Sequence, residues 1–381
     1  MARINLFFYL FFFSFSIVVV PSEVVAKDKQ AINNKKNKSY AFILANNPDI
    51  QYYGRWDFRD SLNPAYSWPG IAVSIEFSGR SIGVRMNDNA GYYNVVIDGK
   101  SYGVFHGDKK GTADYILSDS LPKKHHALRL SLRNFSFDTV YTFSGFLIDG
   151  GARLFHPHIR HQKKIEFIGD SFTAAAGNEA KDLKMEWSAT FPVTNIDLGF
   201  AAMIARHYKA DYHTICRSGI GMLCDWTGNM DLAMPKFYDR TLMERSEPKW
   251  DFASWQPDLV VLALGGNDFS GLSNKDSVVS QENSEIFRNT YRTFLATIRR
   301  VYPGTKILAV AIYPDWVYKN IRQVVEDENS SGNKDVAYAQ FDYFPGGYVC
   351  NGHPTIKTHC KMAKQIITAI DELKVFSRHK K

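Results

Sequence analysis

The sequence changes character at residues 163–173, KKIEFIGDSFT. An apolar strand pattern runs from Ile165 to Ile168, and Gly169 and Asp170 then place Ser171 on a tight turn between this strand and a predicted helix. Beyond this point, near-continuous apolar segments such as LVVLAL at 259–264 alternate with amphipathic helical segments. Buried strands that alternate with helices are typical of a parallel sheet covered by helices on both faces. The stretch therefore predicts an α/β domain over residues 156–375.

Residues 40–155, on the other side of this stretch, have a different pattern. Short apolar or alternating segments follow one another between Gly, Asn and Asp turns, without a helical period. The segments are IAVSIEF at 71–77, SIGVRMND at 81–88, YYNVVIDGK at 92–100, SYGVFHG at 101–107, HALRLSLRN at 126–134 and TFSGFLIDG at 142–150. Six such segments predict an all-β sandwich of jelly-roll type ahead of the α/β domain.

The N-terminus has the pattern of a secretory signal peptide. A positive residue, Arg3, precedes an apolar run from Leu6 to Val20, and a small residue, Ala26, ends the segment. The alternative is a retained membrane anchor, but the run is shorter than the roughly 20 residues that span a bilayer. We expect residues 1–26 to be a signal peptide, so that the mature protein is secreted or periplasmic without an integral membrane span.

The charge of the chain is concentrated at its ends. The formal net charge is +7, yet residues 27–38 carry +4 and residues 374–381 carry another +4, which leaves residues 39–373 at −1. A nucleic-acid surface needs Lys and Arg clustered on the fold itself. This distribution argues against a nucleic-acid partner and predicts a flexible basic linker at 27–39 and a basic tail at 376–381. A nucleic-acid or envelope-polymer anchor is the weaker alternative for these two ends.

The four cysteines fall into two locally spaced pairs. In an exported chain an even number of cysteines favours disulfides. Of the three possible connectivities, Cys216 with Cys224 and Cys350 with Cys360 close the shortest loops. A zinc site is the weaker alternative because the sequence contains no C-x-x-C.

Polar residues follow the predicted strands where the carboxyl ends of a parallel sheet would meet, which is where functional groups gather in this class of fold. Ser171 exposes a hydroxyl, and its backbone N–H is free to stabilise an oxyanion. Gly219 allows close backbone approach, and Asn267 offers a side-chain N–H after the most hydrophobic strand. His353 precedes Pro354 at the start of a strong amphipathic helix, where it can act as the general base for Ser171.

These residues carry a family resemblance. GDS at 169–171, Gly219, GGND at 265–268 and His353 resemble, in order, the four blocks of the SGNH (GDSL-type) hydrolases. The resemblance implies a three-layer αβα domain of flavodoxin-like type. It also implies a nucleophile at Ser171, a base at His353 and an oxyanion hole made by the N–H groups of Ser171 and Gly219 and the side chain of Asn267.

The N-terminal half of the chain makes the family resemblance more specific. YYGRWDFRD at 52–60, SWPGIAVSIEFSG at 67–79 and YYNVVIDGK at 92–100 look like the jelly-roll domain of carbohydrate esterase family 2. Members of that family are exported bacterial acetyl esterases that act on plant-wall polysaccharides such as acetylated xylan and glucomannan. The resemblance implies a secreted serine esterase that removes O-acetyl groups from a polysaccharide or oligosaccharide through an acyl-enzyme, with neither metal nor cofactor.

One position departs from the pattern. SGNH hydrolases usually have an aspartate three residues before the histidine, and this chain has Cys350 there. Either another acid such as Asp342 reaches Nδ1 of His353, or a backbone carbonyl does so and the enzyme works as a Ser-His dyad. We favour the dyad, because some members of the carbohydrate esterase family are similar in lacking the acid.

Three tryptophans in predicted loops are candidates for sugar stacking, namely Trp187, Trp226 and Trp316, with Asp225 and Asp315 beside two of them. Core packing is the alternative for each ring. Two other functions stay open at this point. One is a lipase-like acyl hydrolase on the same fold, and the other is an inactive protein that only binds glycan.

Overall fold

The computed structural model describes residues 39–156 and 161–376 of the 381-residue chain. The residues from Tyr40 onward form one compact unit. The predicted signal peptide, and nearly all of the predicted linker and basic tail, lie outside the described residues. Within the described ranges, no helix has the length and apolar character needed to cross a membrane.

The N-terminal strands form two antiparallel sheets. They are β1 Tyr40–Leu44, β2 Gln51–Tyr53, β3 Ala65–Tyr66, β4 Ala72–Gly79, β5 Ile82–Asn87, β6 Tyr92–Ile97, β7 Lys100–His106, β8 Ala113–Ser118, β9 Lys124–Leu132, β10 Tyr141–Asp149 and β11 Leu154–Phe155. One sheet has the order β1-β10-β5-β8 with β3 beside β10, and the other has β11-β4-β9-β6-β7 with β2 beside β4. The eight longer strands are shared between the sheets in jelly-roll order, so the predicted fold of this half is confirmed.

Alternation along strands such as β4 and β6 builds part of the core of the sandwich. In β6, Tyr93, Val95 and Ile97 are buried, whereas the residues between them are half-buried. The same period of two places one set of side chains between the sheets and the other set outside. The buried set of side chains therefore lies in the core that the two sheets enclose.

The second half contains a five-stranded parallel sheet. Its strands are β12 Lys164–Gly169, β13 Asp211–Cys216, β14 Leu259–Ala263, β15 Lys306–Ala311 and β16 Val336–Gln340, in the order β13-β12-β14-β15-β16. The helices are α1 Phe200–Tyr208, α2 Gly266–Leu272, α3 Gln281–Val301, α4 Asp315–Ser330 and α5 Ile356–Glu372, and a separate short ribbon pairs β17 Tyr348–Val349 with β18 His353–Pro354. This strand order is that of the flavodoxin-like fold, as predicted.

Both faces of the sheet are covered because its strands are apolar on both sides. In β14, Leu259 and Val261 pack toward α1 and α5, while Val260 and Leu262 pack toward α3 and α4. The result is the predicted three-layer αβα arrangement. It also brings the carboxyl ends of β12, β13 and β14 to one edge, beside the segment that precedes α5.

A fully buried ion pair joins the two halves. Arg55, from the loop after β2, donates to Glu166 Oε1 in β12 at 3.1 Å, and both side chains are 0% exposed. Glu166 also accepts from the hydroxyls of Tyr238 at 2.7 Å and Tyr302 at 3.2 Å. A buried charge pair is tolerated when further hydrogen bonds compensate it, and here the two tyrosine hydroxyls do so for the Glu166 carboxylate. The pair fixes the sandwich against the strand that leads to Ser171.

The predicted disulfides are wrong, because all four cysteines are free. Cys216 ends β13 inside a core cluster with Phe135, whereas Cys224 packs beside Gly271. Cys350 is buried against Gly177, and Cys360 is exposed on α5. The two cysteines of each predicted pair are close in sequence but lie in different surroundings in the fold. A disulfide requires that the two sulfur atoms face each other, and short spacing in sequence does not ensure this.

Candidate active site

Ser171 sits two residues beyond the end of β12. Gly169 is required there because an added Cβ would lie 2.0 Å from Thr173 Oγ1. The carboxylate of Asp170 accepts the N–H of Phe172 at 2.9 Å and closes a local turn. The predicted strand-to-helix turn is wrong in one respect, because successive turns follow Ser171 and the next α-helix begins only at Phe200. Ser171 itself is 7% exposed at the edge of the sheet.

His353 lies in β18, and a hydrogen bond at one ring nitrogen fixes its imidazole. Nδ1 is 2.7 Å from the carbonyl oxygen of Cys350, so Nδ1 carries the hydrogen and donates it. This tautomer leaves the lone pair on Nε2, the nitrogen that a general base needs. The ring packs 5.8 Å from those of Phe172, the neighbour of Ser171, and of Trp187. Burial lowers the pKa of His353, and the bond to Cys350 opposes this in part.

Asp342 does not supply a third catalytic group. Its side chain is exposed and accepts a hydrogen bond from Gln365 Nε2 at 2.6 Å. The acceptor at His353 Nδ1 is the Cys350 carbonyl instead. Of the two arrangements considered from the sequence, the geometry supports the one with a backbone carbonyl. His353 is the first residue of the short strand β18 and does not directly precede a helix, since α5 begins at Ile356 after the N-cap Thr355.

The candidate oxyanion donors lie on neighbouring strand ends. Gly219 follows β13 with φ +80°, a conformation that favours glycine. Asn267, at the start of α2, donates from Nδ2 to the carbonyl of Ile220 at 2.8 Å and more weakly to Asp170 at 3.3 Å. One amide hydrogen therefore fixes the side chain, while the other makes only the long bond to Asp170, which a developing oxyanion would have to replace.

Asp268 organises the loop after Gly219 and was not among the residues selected from the sequence. Its fully buried carboxylate accepts the N–H groups of Met222 at 2.8 Å, Leu223 at 2.6 Å and Cys224 at 3.2 Å. Burial raises the pKa of Asp268 to about 6 although these bonds lower it. Asp268 is the last residue of GGND at 265–268, and this motif is the sequence signal that could have identified it. A buried carboxylate needs several hydrogen-bond donors, and the loop after Gly219 provides them.

Asp170 is a second buried acid at the site. Burial, together with the nearby Asp268 carboxylate, raises the pKa of Asp170 to about 7, and the bond from Phe172 opposes the rise. Two acids with strongly shifted pKa values at one strand edge are typical of a functional site.

The three tryptophans have different surroundings. Trp226 is 61% exposed and its backbone N–H donates to the carbonyl of Gly219 at 3.1 Å. Its ring lies beside the candidate oxyanion hole, because a Cβ added at Gly219 would be 3.0 Å from Trp226 Cδ1. Trp187 is half-buried against His353 and lies in a 3₁₀ helix, Trp187–Val193. Trp316 is not in a loop, because it lies in the first turn of α4, packs on Phe287 and donates to Ser284 Oγ at 2.9 Å.

The two acids beside these rings also differ from each other. Asp225 is buried and accepts from the backbone and hydroxyl of Thr227, so it holds its own loop. Asp315 is exposed at the start of α4. A ladder of tyrosines near the site was missed from the sequence. Tyr348 packs near Phe172 and stacks on Tyr343, and Tyr343 contacts Tyr313.

Comparisons with known proteins agree with this architecture. Residues 52–157 match the carbohydrate esterase 2 N-terminal family, and residues 167–337 match the GDSL-like lipase/acylhydrolase family. The chain belongs to carbohydrate esterase family 2. Both matches occur in the order that the two halves of the fold require, and together they cover most of the chain.

Relatives and solved structures extend these matches. The chain is 31% identical over 334 residues to a cellulase/esterase CelE of Acetivibrio thermocellus, covering 85% of this chain and 39% of that protein. It is also 31% identical over 211 residues to an acetylxylan esterase / glucomannan deacetylase of Cellvibrio japonicus, covering 55% of this chain and 57% of the relative. A family two carbohydrate esterase from Clostridium thermocellum, solved in complex with cellohexaose, superposes with a TM-score of 0.76 at 28% identity, over 86% of this chain and all of that one. The chain thus spans well under two thirds of the first two relatives.

Proposed function

We propose that this chain is a secreted serine esterase that removes O-acetyl groups from a carbohydrate. The observation that carries the proposal is the hydrogen bond from His353 Nδ1 to the Cys350 carbonyl, because it leaves Nε2 as the base beside the turn that holds Ser171. The names of the relatives, which include acetylxylan esterase and glucomannan deacetylase, support an acetylated polysaccharide as the substrate.

The reaction follows from these positions. Ser171 Oγ attacks the acetyl carbonyl while Nε2 of His353 takes its proton. The oxygen of the tetrahedral intermediate accepts hydrogen bonds from the N–H groups of Ser171 and Gly219 and from Asn267 Nδ2. Nε2 then returns the proton to the sugar oxygen, which leaves as an alcohol. A water molecule, deprotonated by the same nitrogen, attacks the acetyl-enzyme; the bond between the acetyl carbon and Ser171 Oγ breaks, Nε2 returns the proton to Oγ, and acetate leaves.

Exposed aromatic rings around the site favour a sugar over a lipid chain. Trp226, Tyr313 and Tyr343 are 61%, 56% and 55% exposed. Each of these rings has a polar group at its edge and an apolar face, a combination that suits stacking on a pyranose. Tyr313 and Tyr343 contact each other with ring centroids 5.3 Å apart, and Trp226 lies beside Gly219. These exposed rings offer flat stacking faces, whereas an acyl chain needs a continuous apolar groove.

The test is release of acetate by the purified protein from p-nitrophenyl acetate, acetylated xylan and acetylated glucomannan, with p-nitrophenyl octanoate in parallel. Ser171→Ala and His353→Ala should each abolish turnover. Ser270→Ala is the matched control, because Ser270 is an exposed serine on α2 whose hydroxyl only bonds to the Gly266 carbonyl.

Each outcome has a meaning for the proposal. Acetyl-ester activity lost in both variants and kept in the control supports it. Preference for the octanoyl ester would indicate a lipase-like acyl hydrolase. Glycan binding without turnover, unchanged by Ser171→Ala, would indicate an inactive glycan-binding protein. Detection of the protein in the culture medium or periplasm tests the secreted state separately.

A further inference from the structure

The turn before His353 has an unusual backbone. Cys350, Asn351 and Gly352 have φ values of +41°, +58° and +88° in succession. Cys350 and Asn351 have a Cβ and adopt this left-handed region only at a cost, so the turn requires support from its surroundings. The turn also carries the carbonyl that orients His353.

The support comes from the segment 182–185. The N–H of Cys350 donates to the carbonyl of Asp182 at 2.8 Å, and the N–H of Asn351 donates to that of Leu183 at 2.7 Å. The side chain of Asn351 completes the contact, because Nδ2 donates to the Met185 carbonyl at 2.8 Å and Oδ1 accepts the Met185 N–H at 3.4 Å. Four hydrogen bonds therefore join two segments that are far apart in the sequence.

A second contact fixes the other side of the turn. The thiol of Cys350 is buried against Gly177, where an added Cβ would lie 2.2 Å from Sγ. Gly177 belongs to the turns that begin at Ser171. The turn is thus held between the segment that carries the nucleophile and the segment 182–185, and its carbonyl has little freedom to move.

We propose that Asn351 is a positioning residue, whose side chain fixes the 350–352 turn to the Met185 backbone so that the Cys350 carbonyl keeps His353 in its productive orientation. The proposal rests on the proposed function. In this chain a clamped carbonyl holds the imidazole, a task that a side-chain carboxylate performs in a catalytic triad. Asn351 does not touch the reacting atoms and acts only through the turn.

Two substitutions test the role. Asn351→Asp keeps the shape but turns the Nδ2 donor into an oxygen that faces the Met185 carbonyl. Asn351→Gly keeps the left-handed backbone favourable and removes both side-chain bonds. The control is Asn274→Asp, because Asn274 uses only Oδ1, which accepts from the N–H groups of Asp276 and Val278.

We expect both Asn351 variants to lower kcat on p-nitrophenyl acetate by about 10- to 100-fold with KM within about twofold, since small misplacements of a catalytic group have effects of that size. The downfield NMR signal of the His353 Nδ1 hydrogen should be present in the wild type and in Asn274→Asp, and lost through solvent exchange in both Asn351 variants. Thermal unfolding establishes that each variant is folded.

The two measurements separate this inference from the proposed function. An unchanged His353 Nδ1 signal in both Asn351 variants, or kcat within about twofold of the wild type, would overturn the positioning role. If the wild type hydrolyses no ester, the proposed function fails. The NMR comparison still decides whether Asn351 holds the imidazole, because it needs no turnover.

Discussion

Replacing Gly219 by alanine tests the candidate oxyanion hole, and Gly304 offers a matched control. Gly219 has φ +80° and Gly304 has φ +83°, so alanine meets the same backbone strain at both positions. That strain is about 1–2 kcal/mol for a residue with a Cβ. The surroundings differ, because a Cβ at Gly219 would lie 3.0 Å from Trp226 Cδ1, whereas at Gly304 nothing lies within 4 Å.

The two substitutions should therefore have similar effects on stability and different effects on activity. Trp226 is 61% exposed, so its ring can swing outward and the close contact adds little to the backbone strain. Alanine prefers a left-handed φ near +57°, so the chain at Gly219 relaxes by about 20°. An oxyanion donor acts over a narrow range of distance, and loss of one donor lowers kcat by about 10²–10³, equivalent to about 2.7–4 kcal/mol.

The assay compares kcat and KM on p-nitrophenyl acetate with the free energy of unfolding in urea for both variants. We expect Gly219→Ala and Gly304→Ala to agree within about 1 kcal/mol in stability and to differ by at least about 100-fold in kcat. Combining Gly219→Ala with Trp226→Ala should leave most of the loss in place, because the cause is the backbone. Equal kcat in the two single variants would refute the assignment of Gly219 to the oxyanion hole.

The remaining predictions concern charge. Asp268→Asn should lower kcat, because an amide cannot accept from all three N–H groups that the carboxylate binds. Burial raises the Asp268 pKa from 3.8 to about 6, so between these pH values the folded state binds more protons than the unfolded state. The free energy of unfolding of the wild type should therefore fall as pH rises from about 4 to about 6, and Asp268→Asn should lack this part of the pH dependence. Burial lowers the pKa of His353, and the neutral imidazole is the base, so the rising limb of kcat/KM should have its midpoint below pH 6.5, and a midpoint above that value would contradict the buried-base geometry. Arg55→Met should cost about 3–5 kcal/mol in urea unfolding because it leaves the buried Glu166 carboxylate unpaired. Arg85→Met, which removes the exposed ion pair of Arg85 with Asp114, should cost under about 1 kcal/mol.

The parts of the fold with a regular apolar period were predictable from the sequence. Continuous apolar segments such as 259–264 identified the buried parallel strands, and alternation identified β6 and its neighbours. Five strands of the sandwich lie outside the six predicted segments, namely β1, β2, β3, β8 and β11. In the two-residue strands β3 and β11 a period of two cannot be recognised at all. The sequence predicts a helix after Ser171, because a serine after Gly-Asp also suits a helix cap, and the structure has successive turns there instead.

The selected site residues and the missed ones differ in the range of their interactions. Ser171 and His353 each occur in a short sequence motif that can be recognised without knowledge of the rest of the chain. Asn351 acts through Met185, 166 residues away in sequence, and no local pattern reports such a bond. The cysteine pairing failed for a related reason, since short loops favour closure in the unfolded chain but do not aim the sulfur atoms at each other in the folded one.

The carbonyl partner of His353 has an electrostatic consequence. A carboxylate next to an imidazole would stabilise the imidazolium and raise its pKa, whereas a neutral carbonyl provides only a dipole. Here burial prevails and the pKa of His353 is lowered, so the ring stays a neutral base over a wider pH range but is a weaker one. The fixed orientation of the imidazole must then provide the stabilisation that a neighbouring negative charge would otherwise provide. The rigid turn at 350–352, fixed by Asn351 on one side and by Gly177 on the other, is where this fold provides it.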